Sequence, residues 1–270
     1  MSLVSLGFGN VGQILCQRAI QSGLKSICVA DSSAALLSKN NGFSVKKLND
    51  IINHKQTRKL SSIQPNISTE DIIPMNELSL INLPKDAIIV DCTASNNTTK
   101  FLMDIQSKNI PIILANKRPL TGPYSDFVDL TKDYNLIRFE STVCAGIPTI
   151  NPIQRFINSN DNIIEIEGQF SGSLGYIFTE LQNGKSFSDT IINAMNMGYT
   201  EPDPRDDLNG IDVARKALII ARCIGINAEM SDIDIESIYP SEMDNITLHD
   251  FMKDITLLDD IIKDRINCAQ

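Results

Sequence analysis

The stretch LVSLGFGNVGQILCQRAIQSG, residues 3–23, decides the fold of this 270-residue chain. Its apolar beginning predicts a short strand at 3–7. Apolar residues then recur at helical spacing between residues 11 and 20, which predicts a helix directly after a glycine-rich turn. SICVA at 26–30 predicts a second strand. A strand, a tight turn, a helix and another strand in this order are typical of two parallel strands joined by a crossover helix.

The turn itself, GFGNVG at 7–12, has glycines at all three positions of the pattern G-x-G-x-x-G. Gly7 allows the tight turn, Gly9 lets a pyrophosphate approach the backbone, and Gly12 lets the helix pack on the strand. The N–H groups at the start of the helix then face the phosphates. The pattern predicts that a dinucleotide is bound by Gly7, Gly9, Asn10, Val11 and Gly12. The alternative is a glycine-rich turn without a ligand.

Asp31 comes nineteen residues after Gly12, at the end of the second predicted strand. A carboxylate at this position accepts a hydrogen bond from the 2′-hydroxyl of the adenosine ribose and repels a 2′-phosphate. Asp31 therefore predicts cofactor binding with a preference for NAD over NADP, although Ser32 and Ser33 suit either cofactor. Alternatively, Asp31 caps a helix that begins near Ser33.

Further strands and helices alternate up to about residue 140. Strands are predicted at 87–93, 110–116 and 136–140, and helices at 96–108 and 125–134. The stretch 41–85 is polar and predicts helical pieces with a loop at 61–74. This alternation predicts an α/β fold with a doubly wound parallel sheet of the Rossmann type.

Two polar segments follow predicted strands and therefore lie at the carboxyl edge of that sheet. They are TASNN at 93–97 and LANKRPLTG at 114–122. Ligands of open α/β sheets bind at this edge, so Thr93, Ser95 and Lys117 are candidates for cofactor contacts. For Lys117 the alternative is an ordinary solvated surface lysine.

The pattern changes after residue 140, which predicts two domains, 1–140 and 141–270. NIIEIEGQFSGS at 162–173 alternates apolar and charged residues, which predicts a strand with one face toward solvent or a partner. Helices are predicted at 174–181, 186–198 and 209–224. The second domain is therefore expected to be α+β, and its exposed strand favours a homodimer.

The segment YTEPDPRDDLNGIDVARK, residues 199–216, carries five carboxylates. Asn209 is a good N-cap for the helix that follows, with Asp212 at the capping-box position and Lys216 one turn further along. On spacing alone, Asp212 and Lys216 form a helix cap and a surface ion pair. The neighbouring acids and the apolar opposite face of the helix favour a second interpretation. In that interpretation the acids bind a substrate ammonium in a cleft, and the lysine exchanges a proton with a substrate oxygen.

Composition excludes several classes of protein. The formal net charge is −9 and no basic cluster is present, so nucleic acid is not expected as a partner. No apolar run reaches the ~18–20 residues of a membrane span. Six scattered cysteines without a CxxC pair, and only two histidines, predict a reduced cytoplasmic protein without a zinc site.

Several motifs resemble those of homoserine dehydrogenases, most closely the dehydrogenase part of bifunctional aspartokinase–homoserine dehydrogenases. They are GFGNVG, VDCTASN, ANKRPL, FESTVCAGIPTI, GQFSGSLGYIFTEL and MGYTEPDPRDDLNGIDVARKALIIAR. The resemblance covers nearly the whole chain in order. It implies reversible NAD(P)-dependent hydride transfer between two small molecules, L-homoserine and L-aspartate 4-semialdehyde, in the biosynthesis of threonine and methionine.

The resemblance also implies roles for individual residues. Lys216 corresponds to the proton donor to the carbonyl oxygen, with Asp212 beside it, and Lys117 to a second acid–base candidate. The residues that correspond to substrate ligands are Glu201, Asp207 and Asp212, and Thr93 corresponds to a cofactor contact. A monovalent cation, usually sodium, is bound in the family mostly through backbone carbonyls of the stretch that matches Glu140, Val143, Ala145 and Ile147.

Two departures from the family pattern matter. Cys144 stands where relatives usually have glycine, so a positive φ at this position would strain the cation-binding turn. Relatives also continue beyond residue 270 with segments that close the cleft. Because hydride transfer is sensitive to displacements near 1 Å, this chain is expected to bind NAD(P) but to turn over homoserine poorly.

Two rival functions are weighed against the sequence. Aspartate-semialdehyde dehydrogenase chemistry requires a thiolate nucleophile with a histidine base, and neither His54 nor His249 lies in a motif beside a cysteine, so this rival is rejected. The other rival is a shortened, non-catalytic homologue that binds nucleotide or a partner chain. The residues whose retention argues against it are Lys117, Glu201, Asp212 and Lys216.

Overall fold

The computed structural model describes residues 1–40, 42–65, 70–80 and 82–269. The chain divides into two compact units, Met1–Arg155 and Phe156–Gln270. The division lies later than residue 140, where the sequence pattern changes, and one helix, Ile150–Asn158, crosses it. The roles assigned to the two parts of the sequence stay predictions.

A seven-stranded sheet forms the centre of the first unit. Its strands are β1 (Ser2–Leu6), β2 (Lys25–Ala30), β3 (Ala34–Ser38), β4 (Glu70–Pro74), β5 (Ala87–Asp91), β6 (Ile112–Leu114) and β7 (Ile137–Arg138). Their order across the sheet is β4-β3-β2-β1-β5-β6-β7. Neighbouring strands from β2 through β1, β5 and β6 to β7 are parallel, whereas β3 is antiparallel to both of its neighbours. The predicted Rossmann-type α/β fold is confirmed, and the carboxyl ends of its parallel strands share one edge.

The two strands at one end of the sheet differ from the sequence prediction. β3 occupies the position of the helix considered after Asp31, and it pairs Ala35 with Ala30 of β2. β4 falls inside the predicted loop 61–74, of which residues 66–69 lie outside the described residues. Both strands are short and lie toward an edge, where pairing depends on the neighbouring strand more than on a local pattern.

Helices flank this sheet. They are α1 (Asn10–Gln21), α2 (Val45–Lys55), α3 (Thr99–Gln106), α4 (Tyr124–Thr131), α5 (Ser141–Cys144) and α6 (Ile150–Asn158). α1 buries Gly12, Cys16 and Ala19, which lie on one helical face because they are four and three residues apart. Cys16 and Ala19 pack in a core with Phe8, Val29 and other buried apolar residues. This packing holds the glycine-rich turn against the sheet.

Helices make up the regular structure of the second unit. They are α7 (Gly172–Gln182), α8 (Phe187–Asn196), α9 (Arg205–Leu208), α10 (Ile211–Cys223), α11 (Leu248–Asp254) and α12 (Leu258–Ala269). Its core contains Ile177, Phe187, Ile191 and Phe251. None of the helices in the described part of the chain has the length and apolar content of a membrane span.

The strand predicted at 162–173 is wrong. Residues 161–171 have no regular structure, and Ile164 is 92% exposed. A strand is stabilised by a ladder of hydrogen bonds to a neighbour, and the described residues of this unit contain no strand to pair with. Alternation of apolar and charged residues therefore did not suffice to form a strand here, and the sheet expected in the second domain is not formed in the described residues.

Candidate active site

Glycine is required at two positions of the turn between β1 and α1. Gly7 has a φ of +83°, and a Cβ there would lie 2.7 Å from backbone atoms of Cys92 and Thr93. A Cβ on Gly12 would lie 1.9 Å from the carbonyl oxygen of Gly7. A Cβ on Gly9 would meet nothing within 4 Å, so this glycine borders open space. The tight turn, the open approach and the close helix packing expected of a phosphate-binding loop are thus all present.

A cleft of about 940 Å³ lies beside this turn, a size typical of small-molecule sites. The predicted cofactor residues that line it are Gly7, Gly9, Asp31, Thr93 and Ser95. Asn10, Val11 and Gly12 continue from the turn into α1, which has no side-chain N-cap. Lys117 lies after β6 and outside the lining of this cleft. Lys55, Cys92 and Phe101 are among the lining residues that were not predicted from the sequence.

The buried carboxylate of Asp31 accepts hydrogen bonds from within the protein. Its Oδ1 accepts from the backbone N–H and hydroxyl of Ser33, at 2.8 and 2.6 Å, and from the N–H of Ala34 at 3.2 Å. Its Oδ2 accepts from the N–H of Leu60 at 3.1 Å and pairs with the ammonium of Lys55 at 3.0 Å. Burial by itself would raise the pKa of Asp31, but the hydrogen bonds, first that from the Ser33 hydroxyl, lower it to about 2. Asp31 is therefore ionised, and Lys55 balances its charge.

Cys92 contributes a thiol to the wall of the cleft. Burial, followed by the nearby charge of Asp91, raises the pKa of Cys92 to about 12. The thiol is therefore protonated near neutral pH and is a poor nucleophile, which argues against covalent chemistry at this residue. All six cysteines of the chain are free, as the sequence predicts.

In the second unit, Arg205 organises the beginning of the acidic segment. Its guanidinium forms a bidentate pair with Asp203, with Nη2 2.6 Å from Oδ2 and Nε 3.0 Å from Oδ1. This hydrogen-bonded pair lowers the pKa of Asp203. Arg205 also donates to the carbonyl oxygens of Met243 and Ile246, at 3.0 and 2.8 Å, and lies over the ring of Phe251. Asp203 is thus part of the framework of the segment.

Asp207 also holds the backbone of this segment. Its Oδ1 accepts from the hydroxyl of Ser173 at 2.9 Å, and its Oδ2 accepts from the backbone N–H of Glu201 at 2.8 Å. A carboxylate offers about four acceptor positions, so Asp207 keeps capacity for a further donor. Glu201 and Asp206 are exposed. The structure therefore separates the acids with internal partners from those that face solvent.

Lys216 and Asp212 form the ion pair that their spacing predicts. Lys216 Nζ lies 3.0 Å from Asp212 Oδ2 and also donates to the carbonyl oxygen of Phe170. The lysine side chain is 13% exposed and that of Asp212 is 43% exposed. The ammonium is thus held at a partly buried position beside the second turn of α10, with one anionic and one neutral acceptor.

The predicted cap of α10 needs a correction. The N-cap residue is Gly210, with a φ of +74°, and α10 begins at Ile211. Asn209 Oδ1 accepts from the N–H of Ile211 at 2.9 Å. Asn209 therefore still accepts from an amide of the first turn, although it precedes the N-cap residue by one position. Asp212 is the second helical residue and not the third. The capping-box interpretation of Asp212 is therefore wrong, and its described partner is Lys216.

Glu140 at the predicted cation site accepts from three backbone N–H groups. Its Oε1 accepts from Thr149 and, at 2.8 Å, from Ile150; its Oε2 accepts from Asn151 at 3.0 Å. These amides lie at the beginning of α6, where the helix dipole favours a negative charge. The side chain of Glu140 therefore caps α6.

The strain expected at Cys144 lies one residue later. Cys144 is the last residue of α5, whereas Ala145 has a φ of +51°. The chain leaves the helix at Ala145, which is where the unusual backbone conformation is needed. Val143 is buried, and Ala145 and Ile147 are exposed. Within the described ranges, no group of three or more His, Cys, Asp or Glu side chains is arranged to hold a metal ion.

Two family models match the chain. The model described as homoserine dehydrogenase matches residues 148–265. The model described as glutamate/leucine/phenylalanine/valine dehydrogenase matches residues 2–116, which contain the glycine-rich turn and the cleft.

Individual relatives cover more of the chain. The bifunctional aspartokinase/homoserine dehydrogenase 1 of Zea mays is 33% identical over 266 residues, covering 93% of this chain and 28% of that protein. The homoserine dehydrogenase of Schizosaccharomyces pombe is 34% identical over 255 residues, covering 90% of this chain and 67% of that protein. A solved hyperthermophilic archaeal homoserine dehydrogenase in complex with NADPH is 25% identical, with a TM-score of 0.63, over 82% of this chain and 69% of that one.

The sheet order, the glycine-rich turn and the cleft define a Rossmann-type α/β protein. Within this class, the sequence identity to the Schizosaccharomyces pombe enzyme and the coverage of both chains identify the family. The chain belongs to the homoserine dehydrogenase family. It spans little more than a quarter of the length of the Zea mays relative and about two thirds of the Schizosaccharomyces pombe relative.

Proposed function

We propose that this chain is an NAD(P)-dependent oxidoreductase that interconverts L-homoserine and L-aspartate 4-semialdehyde. The observation that carries the proposal is the Lys216–Asp212 pair at the end of the acidic segment, in a chain that belongs to this family. A lysine ammonium held by a carboxylate is suited to give a proton to a developing alkoxide and to take it back in the reverse direction. NAD(P) supplies or accepts the hydride when it is bound.

The roles of the other acidic residues follow from their surroundings. We assign Glu201 and Asp207 to the ammonium group of the substrate, because Glu201 is exposed and Asp207 retains acceptor capacity. Asp212 holds Lys216 in place and is a third candidate ligand for the substrate. Lys117 remains the second acid–base candidate.

The cofactor would lie in the cleft of the first unit. The open approach at Gly9 and the uncapped N-terminus of α1 suit a pyrophosphate. Thr93 and Ser95 line the same cleft at the carboxyl edge of the sheet. The residues present therefore fit a dinucleotide.

The NAD preference suggested by Asp31 is weakened by its surroundings. Five hydrogen-bonding contacts already reach its carboxylate, and Lys55 balances its charge. A 2′-hydroxyl would have to compete with these donors, and a 2′-phosphate would meet a neutral pair. We therefore propose that the site accepts both NAD and NADP. Replacing Asp31 by alanine and titrating NADH and NADPH tests this: a selective loss of NADH affinity would restore the simple NAD preference.

Two finer proposals concern a cation and self-association. A sodium ion would be bound by backbone carbonyls of Val143, Ala145 and Ile147, because the side chain of Glu140 caps α6. Thermal unfolding in sodium and in choline chloride tests it, and equal melting temperatures would contradict it. The exposed segment 162–170 favours a homodimer, which light scattering of the purified chain tests; a monomer at all concentrations would contradict it.

The activity itself is tested by absorbance at 340 nm. Homoserine with NAD⁺ or NADP⁺ is expected to produce a rise that requires homoserine, and L-serine, which is one methylene shorter, serves as the control substrate. NADPH binding is measured in parallel by its fluorescence. Binding without any homoserine-dependent rise would instead support the non-catalytic homologue.

A further inference from the structure

A buried amide joins the two loops that follow β5 and β6. Asn116, the second residue after β6, is 3% exposed. Its Nδ2 lies 2.8 Å from the carbonyl oxygen of Ser95, 3.0 Å from Thr93 Oγ1, 3.1 Å from Asp91 Oδ2 and 3.4 Å from Thr98 Oγ1. An amide has only two N–H bonds to share among these acceptors, and the shortest contact is to Ser95. One side chain of the β6 loop thus holds the whole β5 loop.

Asp91 ties the same loops from the other side. It is fully buried at the end of β5, and its Oδ1 accepts from the N–H of Thr93 at 2.8 Å. Its Oδ2 accepts from the hydroxyl of Thr98 at 2.7 Å as well as from Asn116. Its backbone carbonyl accepts from the N–H groups of Ala115 and Asn116, at 2.9 and 3.1 Å. The carboxylate has several donors, whereas Asn116 provides the amide that binds Ser95.

The other end of the Asn116 side chain fixes the turn that contains Lys117. Asn116 Oδ1 accepts from the backbone N–H of Arg118 at 3.1 Å. Lys117 precedes the short helical turn Arg118–Leu120. The backbone of Lys117 is therefore held on one side by the Asn116 amide bonded to Asp91 and on the other by the Arg118 amide bonded to Asn116.

We propose that Asn116 is a positioning residue for hydride transfer. This inference rests on the proposed function. Asn116 sets the Thr93–Thr98 loop, which lines the cofactor cleft, at a fixed position relative to Lys117. The phosphate-binding turn and the surroundings of Asp31 make no described contact with its side chain, so loss of Asn116 is expected to loosen the cofactor where it passes the Thr93–Thr98 loop and to leave most of its binding intact. Displacement near 1 Å lowers the rate of such a reaction by about 100-fold.

Asn116→Asp tests the amide with almost no change of shape. The new carboxyl either repels Asp91 or shares a proton with it, and in both cases the carbonyl oxygen of Ser95 loses its donor. The double variant Asp91→Asn/Asn116→Asp exchanges the two groups and restores one amide–carboxylate pair, but residue 116 still provides no amide for the carbonyl oxygen of Ser95. Asn135→Asp, an exposed change in the same unit, is the matched control. Turnover at saturating homoserine and NADP⁺, the NADPH dissociation constant and the fluorescence anisotropy of bound NADPH are measured for each.

Asn116→Asp is expected to lower turnover about 100-fold, to change the NADPH dissociation constant less than about fivefold and to lower the anisotropy of bound NADPH. The exchanged pair relieves the repulsion but still lacks the donor to Ser95, so it should stay close to Asn116→Asp in both measurements, and Asn135→Asp should match the unchanged protein. Wild-type turnover in Asn116→Asp, a parallel loss of NADPH binding, or full recovery in the exchanged pair would overturn the inference. If the unchanged chain binds NADPH without turnover, the proposed function fails; the anisotropy of the variants then decides the positioning role by itself.

Discussion

Replacing Lys216 by methionine separates a catalytic role of this lysine from a structural one. Methionine keeps an unbranched stem of similar length and removes the ammonium, which lies 3.0 Å from Asp212 and donates to the carbonyl oxygen of Phe170. Asp212 is 43% exposed, so water replaces its partner, and an ion pair of this kind contributes about 0.2–1 kcal/mol. The carbonyl of Phe170 loses one hydrogen bond, which contributes about 1 kcal/mol. The free energy of unfolding is therefore expected to fall by about 1–2 kcal/mol.

The expected kinetic effect is larger. Loss of a general acid or base lowers turnover by about 10²–10⁴-fold. That range corresponds to about 3–5 kcal/mol in the activation free energy, which exceeds the expected loss of stability. Because the cofactor cleft is formed by residues of the first unit, the NADPH dissociation constant should stay unchanged.

The assay combines turnover at 340 nm, NADPH fluorescence titration and thermal unfolding followed by circular dichroism. Lys263→Met, at an exposed lysine of α12, is the matched control for removal of an ammonium from the same unit. Lys216→Arg keeps the charge but is a far weaker acid, so it should stay slow. The reasoning is refuted if Lys216→Met turns over homoserine within about threefold of the unchanged chain, or if it loses NADPH binding and stability in the same proportion as activity.

Three further changes test the surroundings of the site. Asp31→Asn should lower the free energy of unfolding by about 2 kcal/mol at pH 7, because the pKa of Asp31 falls from 3.8 to about 2 on folding. In denaturant titrations, the difference in stability between the variant and the unchanged chain should disappear between pH 4 and pH 2. A difference that stays constant over this range would contradict the prediction. Glu140→Gln should reduce stability by about 1 kcal/mol, because a charged cap of three amides becomes neutral, and an unchanged melting temperature would show that the cap is unimportant. Arg205→Lys should lower the free energy of unfolding by about 2–4 kcal/mol and raise the KM for homoserine, since an ammonium does not reproduce the bidentate pair with Asp203. A KM equal to that of the unchanged chain would show that this pair does not affect substrate binding.

Local pattern was sufficient to predict most of the sheet. β1, β2, β5, β6 and β7 are short apolar runs bounded by turn residues, and each prediction overlaps the observed strand. β3 and β4 were missed because an antiparallel strand near an edge is specified by its neighbour and by burial. For the segment 162–173 the error was the reverse, a strand that was predicted but does not form. Its alternation is typical of a strand, but the described residues of the second unit contain no strand to pair with it.

The candidate site was predicted unevenly for a similar reason. Gly7 and Gly12 are recognisable from the spacing of the motif, because any Cβ at either position would clash with backbone atoms and only glycine fits there. Lys55 was missed because it meets Asp31 from the end of α2, and no pattern in the sequence records this contact. Asn116 was not predicted as a site residue, since burial of its amide depends on the positions of two separate loops.

The acidic segment shows why a count of carboxylates overstates the charge offered to a substrate. Asp203 is paired with Arg205, and Asp212 with Lys216. Asp207 accepts two hydrogen bonds from the chain itself, one of them from the backbone N–H of Glu201. This arrangement holds the backbone of Glu201 in place while its side chain is exposed to solvent. The five acids are therefore not equivalent: Asp203, Asp207 and Asp212 have described partners within the chain, whereas the side chains of Glu201 and Asp206 are exposed.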